Sequence, residues 1–283
     1  MQNEVVVLFG AGAIGEAIIR RVGAGRQVLL ADYSDASLEK SAARLTEAGF
    51  TVTTIKTDIS QRSSIQAVVV QAKKLGKIMG LVVAAGVSPS QESRERVLQV
   101  DLYGTSVILE EFGQVMAAGG AGIVISSQSG HRLPALTTAE NQALAMTPTE
   151  DLLALPVLQA DRVQDSLAAY QYAKRENVLR VAGESVKWQA RGARINAISP
   201  GIVMSPLALD ELNGPRGAGY HKMFESMVTK RPATPDEIAG LAEFLMDRRS
   251  AFITGSDFLM DGGITAQYWY GDVAEVRDSG AAK

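Results

Sequence analysis

Cysteine is absent from the 283 residues, and that one absence removes disulfides, thiolate metal sites and a cysteine nucleophile together. Histidine is nearly as scarce. With only His131 and His221, a histidine-built metal centre or a Ser-His-Asp triad has little to draw on, so no metal is expected. Aromatic residues are 6% of the chain, and the apolar complement is mostly Ala, Val, Ile and Leu, as helices layered on a buried sheet require. Positive charge is not in excess: the formal net charge is −3, which leaves no basic footprint for nucleic acid. No apolar run approaches the roughly 18–20 residues that would span a bilayer. The first strand-like run begins almost at Met1. A soluble, cytoplasmic protein with neither a membrane nor a nucleic-acid partner is expected, built as one large α/β domain.

What is present begins with Val5-Val6-Val7-Leu8-Phe9, a continuous apolar run of the kind buried on both faces of a sheet. It feeds Gly10-Ala11-Gly12-Ala13-Ile14-Gly15 and then a helical segment to about Val22. A glycine-rich turn between strand and helix lets the backbone approach a pyrophosphate, whose charge is met by the N–H groups at the helix start. The next strand, Gln27–Ala31, ends at Asp32, seventeen residues after Gly15. A carboxylate there accepts from adenosine ribose hydroxyls and repels a 2′-phosphate, and neither Ala11, Ala13, Tyr33 nor Ser34 supplies a cation to offset it. NAD is therefore the expected cofactor, although Asp32 also suits a simple turn cap.

The βα rhythm continues through strands at Thr51–Lys56, Met79–Ala84, Gly122–Ser126 and Phe258–Met260, with helices between the first of these. Such alternation predicts a parallel, doubly wound Rossmann-like sheet, with ligands beyond the C-terminal strand ends. Asp32, Asp58-Ile59, Ala84-Ala85-Gly86 and Ser127 all fall there. Asp58 suits an adenine contact or a helix cap, and Ser127 a catalytic hydroxyl or a turn. A long helix is expected over Glu92–Met116, carrying Asp101.

In Tyr170-Gln171-Tyr172-Ala173-Lys174 a tyrosine and a lysine lie four apart, one above the other on a helix face. A neighbouring ammonium favours the phenolate and tunes a phenol for proton exchange as an alcohol and a carbonyl interconvert. Tyr172 has Glu176 at the same spacing, which pushes the wrong way, so Tyr170 is the candidate. Packing plus a solvated charge is the plainer account of the pair.

The glycine turn, Ser-Ser-x-x-Gly at 126–130, Tyr-x-x-x-Lys at 170–174, Asn196-Ala197-Ile198-Ser199-Pro200-Gly201, Thr254-Gly255 and Asp261-Gly262-Gly263 occur in the order of one family. Over residues 4–265 the chain resembles the short-chain dehydrogenase/reductase superfamily. That resemblance implies an NAD-dependent oxidoreductase acting on a small-molecule secondary alcohol or ketone. It makes Ser127 the group that polarises the substrate oxygen and Tyr170 the acid/base, with Lys174 holding the nicotinamide ribose. Pro200, Gly201 and Ile202 then lie beside the nicotinamide, with Ser205 where the family often has threonine. Together with Gly10, Gly12, Ala13, Ile14, Gly15, Asp32, Tyr33, Asp58, Ile59, Ala84, Ala85, Gly86, Tyr170 and Lys174, these form the expected cofactor-binding set. Three departures stand out: Phe9 replaces a threonine before the turn, Ala84-Ala85-Gly86 replaces Asn-Ala-Gly, and Asp101 replaces the Asn that supports a proton relay. A relay through the Asp101 main-chain carbonyl, or a purely structural kink, are both open. A non-catalytic NAD-binding regulator is the rival from outside the enzymes.

Ser127 and Tyr170 are 43 positions apart. The segment at about 132–166 has no glycine, and Thr137–Glu140 and Thr147–Glu150 both have the capping-box pattern, so two short helices are expected there. Its leucines suggest a substrate-pocket wall, and a similar insertion occurs in bacterial 3α-hydroxysteroid dehydrogenase/carbonyl reductases, which this chain also resembles. Residues 204–231, punctuated by Pro206, Gly214, Pro215, Gly217 and Gly219, read as a lid. Another capping box at Thr234–Glu237 starts a helix to about Met246. Beyond the 1–265 domain lies a tail at 266–283 with an exposed aromatic cluster at Tyr268–Tyr270. Val107, Ile108, Phe112, Val115, Val178, Leu179 and Trp188 give the helices around them more apolar positions than one sheet-facing stripe needs, which predicts a homodimer; the tail aromatics would extend it to a tetramer.

Overall fold

Among the described residues, seven parallel strands in the order β3-β2-β1-β4-β5-β6-β7 carry the molecule. They are β1 (Glu4–Phe9), β2 (Gln27–Asp32), β3 (Thr51–Lys56), β4 (Lys77–Val83), β5 (Ala121–Ile125), β6 (Arg194–Pro200) and β7 (Asp257–Met260). The computed structural model describes residues 3–205, 208–209, 212–214 and 217–271. Pro206 and Pro215 of the expected lid, and residues 272–283 of the tail, lie outside them.

The period-two rule explains why the first run reads as uninterrupted. Val5, Val7 and Phe9 enter one core, and Val6 and Leu8 enter the other. Helices α1 (Ala13–Val22), α2 (Asp35–Glu47) and the later Pro235–Met246 cover the second core with Ile18, Ile19, Leu38, Leu45, Ile238 and Leu245. Helix α3 (Arg62–Leu75) covers the first with Ile65, Val68 and Ala72. Since β1 lies between β2 and β4, the strand order reverses at β1 and a crevice opens past its C-terminal end.

The expected long helix is not continuous. It divides into α4 (Arg94–Val97), one π-helical turn over Leu98–Gly104, and α5 (Thr105–Gly113). Asp101 sits in that turn, where its main-chain carbonyl accepts a hydrogen bond from Asn177 Nδ2 at 2.9 Å. A side chain from another helix satisfies that carbonyl, a tertiary contact that favours the wider turn.

The insertion begins as its sequence predicts. Thr137 and Glu140 make both bonds of the capping box at the head of α6 (Thr138–Met146). The second box does not form. Thr149–Ala154 is a 3₁₀ turn with no side-chain cap, because the groups needed are taken elsewhere. The Thr147 N–H donates to the Ala143 carbonyl at 3.0 Å as the C-cap of α6, and Glu150 accepts from Arg62 Nε at 2.6 Å.

Leu144 and Leu152 of the insertion are buried with Val97, Leu98, Leu102, Ala169 and Tyr172. Helix α7 (Ser166–Ala190) therefore meets the sheet on one side and α6 on another. Their backbones close tightly at Gly183, where a Cβ would come within 2.7 Å of the Ala145 carbonyl oxygen. Val107, Ile108, Phe112 and Trp188 are fully buried inside the single subunit. These four side chains belong to the chain's own sheet-side core and need no second copy to cover them.

Candidate active site

The glycine turn is shaped by contacts on both sides. Gly10 has φ +92°, and a Cβ there would lie 2.4 Å from the Ala85 nitrogen, so only glycine lets β1 pass the exit of β4. Gly15 is buried, where a Cβ would meet the Gly10 carbonyl oxygen at 2.4 Å; it brings α1 close to the strand rather than facing a ligand. Gly12 differs. It is the N-cap of α1, makes no side-chain cap bond, and has no atom within 4 Å of where a Cβ would be. An open space in front of the uncapped amides of a ten-residue helix fits a pyrophosphate.

From this turn a cleft of about 250 Å³ runs along the strand ends. Gly10, Gly12, Asp32, Tyr33, Asp58, Ile59, Ala84, Ala85 and Gly86 all line it, so the fold gathers this half of the expected set. Ala13 and Ile14 open the first turn of α1 beside it. Asp32 Oδ2 accepts from the Ala11 N–H at 2.7 Å and Oδ1 from the Ser34 N–H at 2.8 Å, so the carboxylate also braces the turn. Asp58 is not the cap of α3, which is Gln61; its Oδ1 accepts from the Ser60 hydroxyl at 2.7 Å and N–H at 3.0 Å. Burial works against the Asp58 charge, but those bonds and the Arg96 guanidinium outweigh it and hold the carboxyl below its ordinary value.

At the other end of the crevice, α7 presents Tyr170 and Lys174 on one face. Lys174 Nζ lies 5.2 Å from the centre of the Tyr170 ring, and 3.2 Å from Asp101 Oδ2. Asp101 is completely buried, and its Oδ1 accepts from the Val87 N–H at 2.8 Å. Burial pushes the Asp101 carboxyl up, against the pull of Lys174 and Val87. Burial also opposes the Lys174 ammonium, yet Asp101 and Tyr170 outweigh it and hold it above its ordinary value. The two form a buried ion pair directly beside the phenol. Tyr172 instead packs into the insertion's core.

The turn after β5 is docked on the same helix, with the Ser126 hydroxyl donating to the Lys174 carbonyl at 2.7 Å. Half-buried Ser127 follows and caps a short 3₁₀ turn (Gln128–His131), accepting from the Ser129 N–H at 3.1 Å. Pro200 ends β6, and the Gly201 N–H donates to the Met260 carbonyl at 2.9 Å. The Ile202 carbonyl accepts from Ala233, and Ser205 caps the segment after it through the Ala208 N–H at 3.1 Å. Pro200, Gly201, Ile202 and Ser205 are not among the residues lining that cleft; Pro200 is the last residue of β6, and the other three follow it.

Known proteins carry the same architecture. The short chain dehydrogenase model matches residues 4–139, and one described as enoyl-(acyl carrier protein) reductase matches residues 134–265. A short-chain dehydrogenase/reductase of Alternaria brassicicola is 40% identical over 267 residues, covering 94% of this chain and 97% of that protein. This chain belongs to the short-chain dehydrogenase/reductase family. It is an oxidoreductase of a family that binds nicotinamide cofactors. The 3-alpha-hydroxysteroid dehydrogenase/carbonyl reductase of Comamonas testosteroni is 27% identical over 93% of this chain and 96% of its own length. A solved short-chain dehydrogenase/reductase of Serratia marcescens superposes with a TM-score of 0.73 at 25% identity, covering 93% of this chain and 98% of that one.

Three features of this short-chain dehydrogenase/reductase were not legible from motifs. Arg96 lines the cleft beside Asp58 and Tyr33. Asn177 links the Asp101 carbonyl to Glu176, donating to Glu176 Oε2 at 3.1 Å. His131 closes the serine turn: its Nε2 lies 2.7 Å from Asp257 Oδ2, and its carbonyl accepts from the Trp269 indole N–H at 3.0 Å. The tail aromatics are therefore not a free cluster. Tyr268 and Trp269 fold back edge to face at 5.1 Å, with Arg132 5.3 Å from the Tyr268 ring centre, and only Tyr270 projects outward. His221 is exposed, as a surface residue should be. Among the described residues no helix is long and apolar enough to cross a membrane.

Proposed function

We propose that this enzyme interconverts a secondary alcohol and a ketone with NAD(H), with Tyr170 as the acid/base. The observation that carries this reading is the stacked Tyr170–Lys174 pair on α7, beside a turn holding Ser127 and a crevice with an open helix N-terminus. A bound nicotinamide dinucleotide would supply or accept the hydride. In reduction the Tyr170 hydroxyl gives its proton to the carbonyl oxygen; in oxidation it takes the proton back from the alcohol. Ser127 donates a hydrogen bond to the same oxygen and fixes its position. Lys174 orients the ribose and supports charge on the phenol, while Asp101 holds the ammonium in place.

Asp32 supports NAD over NADP, since its carboxylate on the cleft wall repels a 2′-phosphate. The insertion favours an apolar substrate. Leu133, Leu136, Leu153 and Leu155 are only partly buried and belong to the same apolar cluster as Tyr170. A hydroxysteroid is the more specific reading, and the Comamonas testosteroni relative is named for that chemistry. A homo-oligomer, dimer or tetramer, also belongs to the proposal, because the family commonly oligomerises. The test is turnover of a panel of secondary alcohols and steroids followed by NADH absorbance. Tyr170→Phe should lower the rate by at least about 10²-fold while leaving NADH binding unchanged. A variant that keeps most of its rate would refute the assignment.

A further inference from the structure

The cleft contains a guanidinium that no residue near Asp32 announces. Arg96 arrives from α4 and is held on three sides. Its Nη1 donates to Ser60 Oγ at 2.9 Å, its Nη2 faces Asp58 Oδ1 at 3.4 Å, and its Cζ lies 5.8 Å from the centre of the Tyr33 ring. The Arg96 and Asp58 side chains are each 29% exposed, so the pair forms cleft wall rather than free surface.

An arginine in such a place has two uses. It can be a point cation for a 2′-phosphate, or a flat cationic surface for a base. The surroundings favour the second. Asp58 already compensates the charge, and Asp32 adds another carboxylate to the same wall, so the cleft offers a dianionic phosphate little net attraction. The plane of the guanidinium, by contrast, is fixed by Ser60 and Asp58, which spares the entropy of ordering it on binding. Cationic planes stack on the π-faces of bases whatever their hydrogen-bonding edge.

We infer that Arg96 recognises the adenine of the dinucleotide by stacking its guanidinium on the base, with Asp58 and Ser60 holding that plane in position. The inference rests on the cofactor reading above. It makes Arg96 a determinant of cofactor affinity and leaves the NAD-over-NADP choice to Asp32.

Titration followed by nicotinamide fluorescence separates the possibilities, using NADH, NADPH and reduced nicotinamide mononucleotide, which lacks the adenosine. Arg96→Ala should weaken NADH and NADPH by the same factor, roughly tenfold for one partly desolvated cation–π contact. Binding of the mononucleotide should not change. Arg96→Lys keeps the charge and the stem but not the plane, so it should recover little of the loss. It also carries the test if the alanine variant melts early. Unchanged NADH affinity, a loss confined to NADPH, full rescue by lysine, or an equal loss of the mononucleotide would each overturn the inference. If the unaltered protein bound neither dinucleotide, the cofactor reading itself would fail and take the inference with it.

Discussion

Asp101 Oδ2 stands 3.2 Å from Lys174 Nζ with both side chains buried, so the ammonium beside Tyr170 is already matched by a carboxylate. A compensated cation stabilises a neighbouring phenolate less than a bare one does. Asp101→Asn should therefore shift the low-pH limb of alcohol oxidation to lower pH, by about one unit, equivalent to about 1.4 kcal/mol. The rate profile against pH measures this directly. A limb that stays in place or moves upward would show that the pair does not tune the phenol.

Glu176 gives a pH dependence of stability. Burial and the neighbouring Glu184 push its carboxyl up to about 7, against Arg180, Ser106 and Asn177, which pull it down. Its folded value lies above its unfolded one. The contribution of the bound proton is therefore fully present below about 4.5 and is lost as pH rises through about 7. Thermal unfolding should show the native protein losing ground to Glu176→Gln between pH 5 and pH 8. A constant difference in Tm across that range would contradict the assignment.

Cofactor preference follows from Asp32. NADH should outperform NADPH in kcat/KM by at least about tenfold, an interaction difference near 1.4 kcal/mol. Asp32→Ala should narrow that gap, and also lower Tm, because the carboxylate braces the Ala11 and Ser34 amides. Equal efficiency of the two cofactors with the native enzyme would end the NAD assignment.

At Gly183 a Cβ would meet the Ala145 carbonyl oxygen at 2.7 Å and Met146 Sδ at 3.2 Å. Backbone cannot step aside as a side-chain tip can. Gly183→Ala should cost about 1–3 kcal/mol as overpacking, even though alanine is the better helix former, and chemical denaturation would read it. A neutral or stabilising outcome would mean that α6 does not rest on α7 as described.

Truncation after Thr265 tests the tail. Because Trp269 bonds to the His131 carbonyl of its own subunit, light scattering should give the same mass before and after. KM for substrate should rise, since the serine turn loses an anchor. A fall from tetramer to dimer would instead place these aromatics between subunits.

Most strands were legible because a continuous apolar run is a local property, and Val5–Phe9 needs no partner to be read; β6 (Arg194–Pro200), interrupted by Asn196 and Ser199, was read only as a motif. Capping at Thr137 and Thr234 was legible for the same reason, and both boxes form. The box at Thr147 has the same letters and fails, because the end of α6 takes the Thr147 N–H and Arg62, from elsewhere in the chain, takes the Glu150 carboxylate. The cleft's glycines and acids followed from motif and spacing. Arg96 did not, since only the assembled sheet brings α4 over the exits of β2 and β3. Nor did the Asp101–Lys174 pair, whose members were each singled out but for separate duties.

The π-helical turn at Leu98–Gly104 has a consequence for chain length. Such a turn holds one residue more than an α-helical path would, so α4 and α5 are out of phase by about 100°. Removing any one residue between Leu98 and Gly104 would let the helix become regular and rotate its upstream end by that amount. Arg96 would swing away from Asp58 and Tyr33, and Asp101 would lose either Lys174 or the bond from Asn177. The spacing between Lys174 and the cleft beside Asp58 is thus counted in residues as much as in contacts, and this stretch should accept many substitutions before it accepts a single deletion.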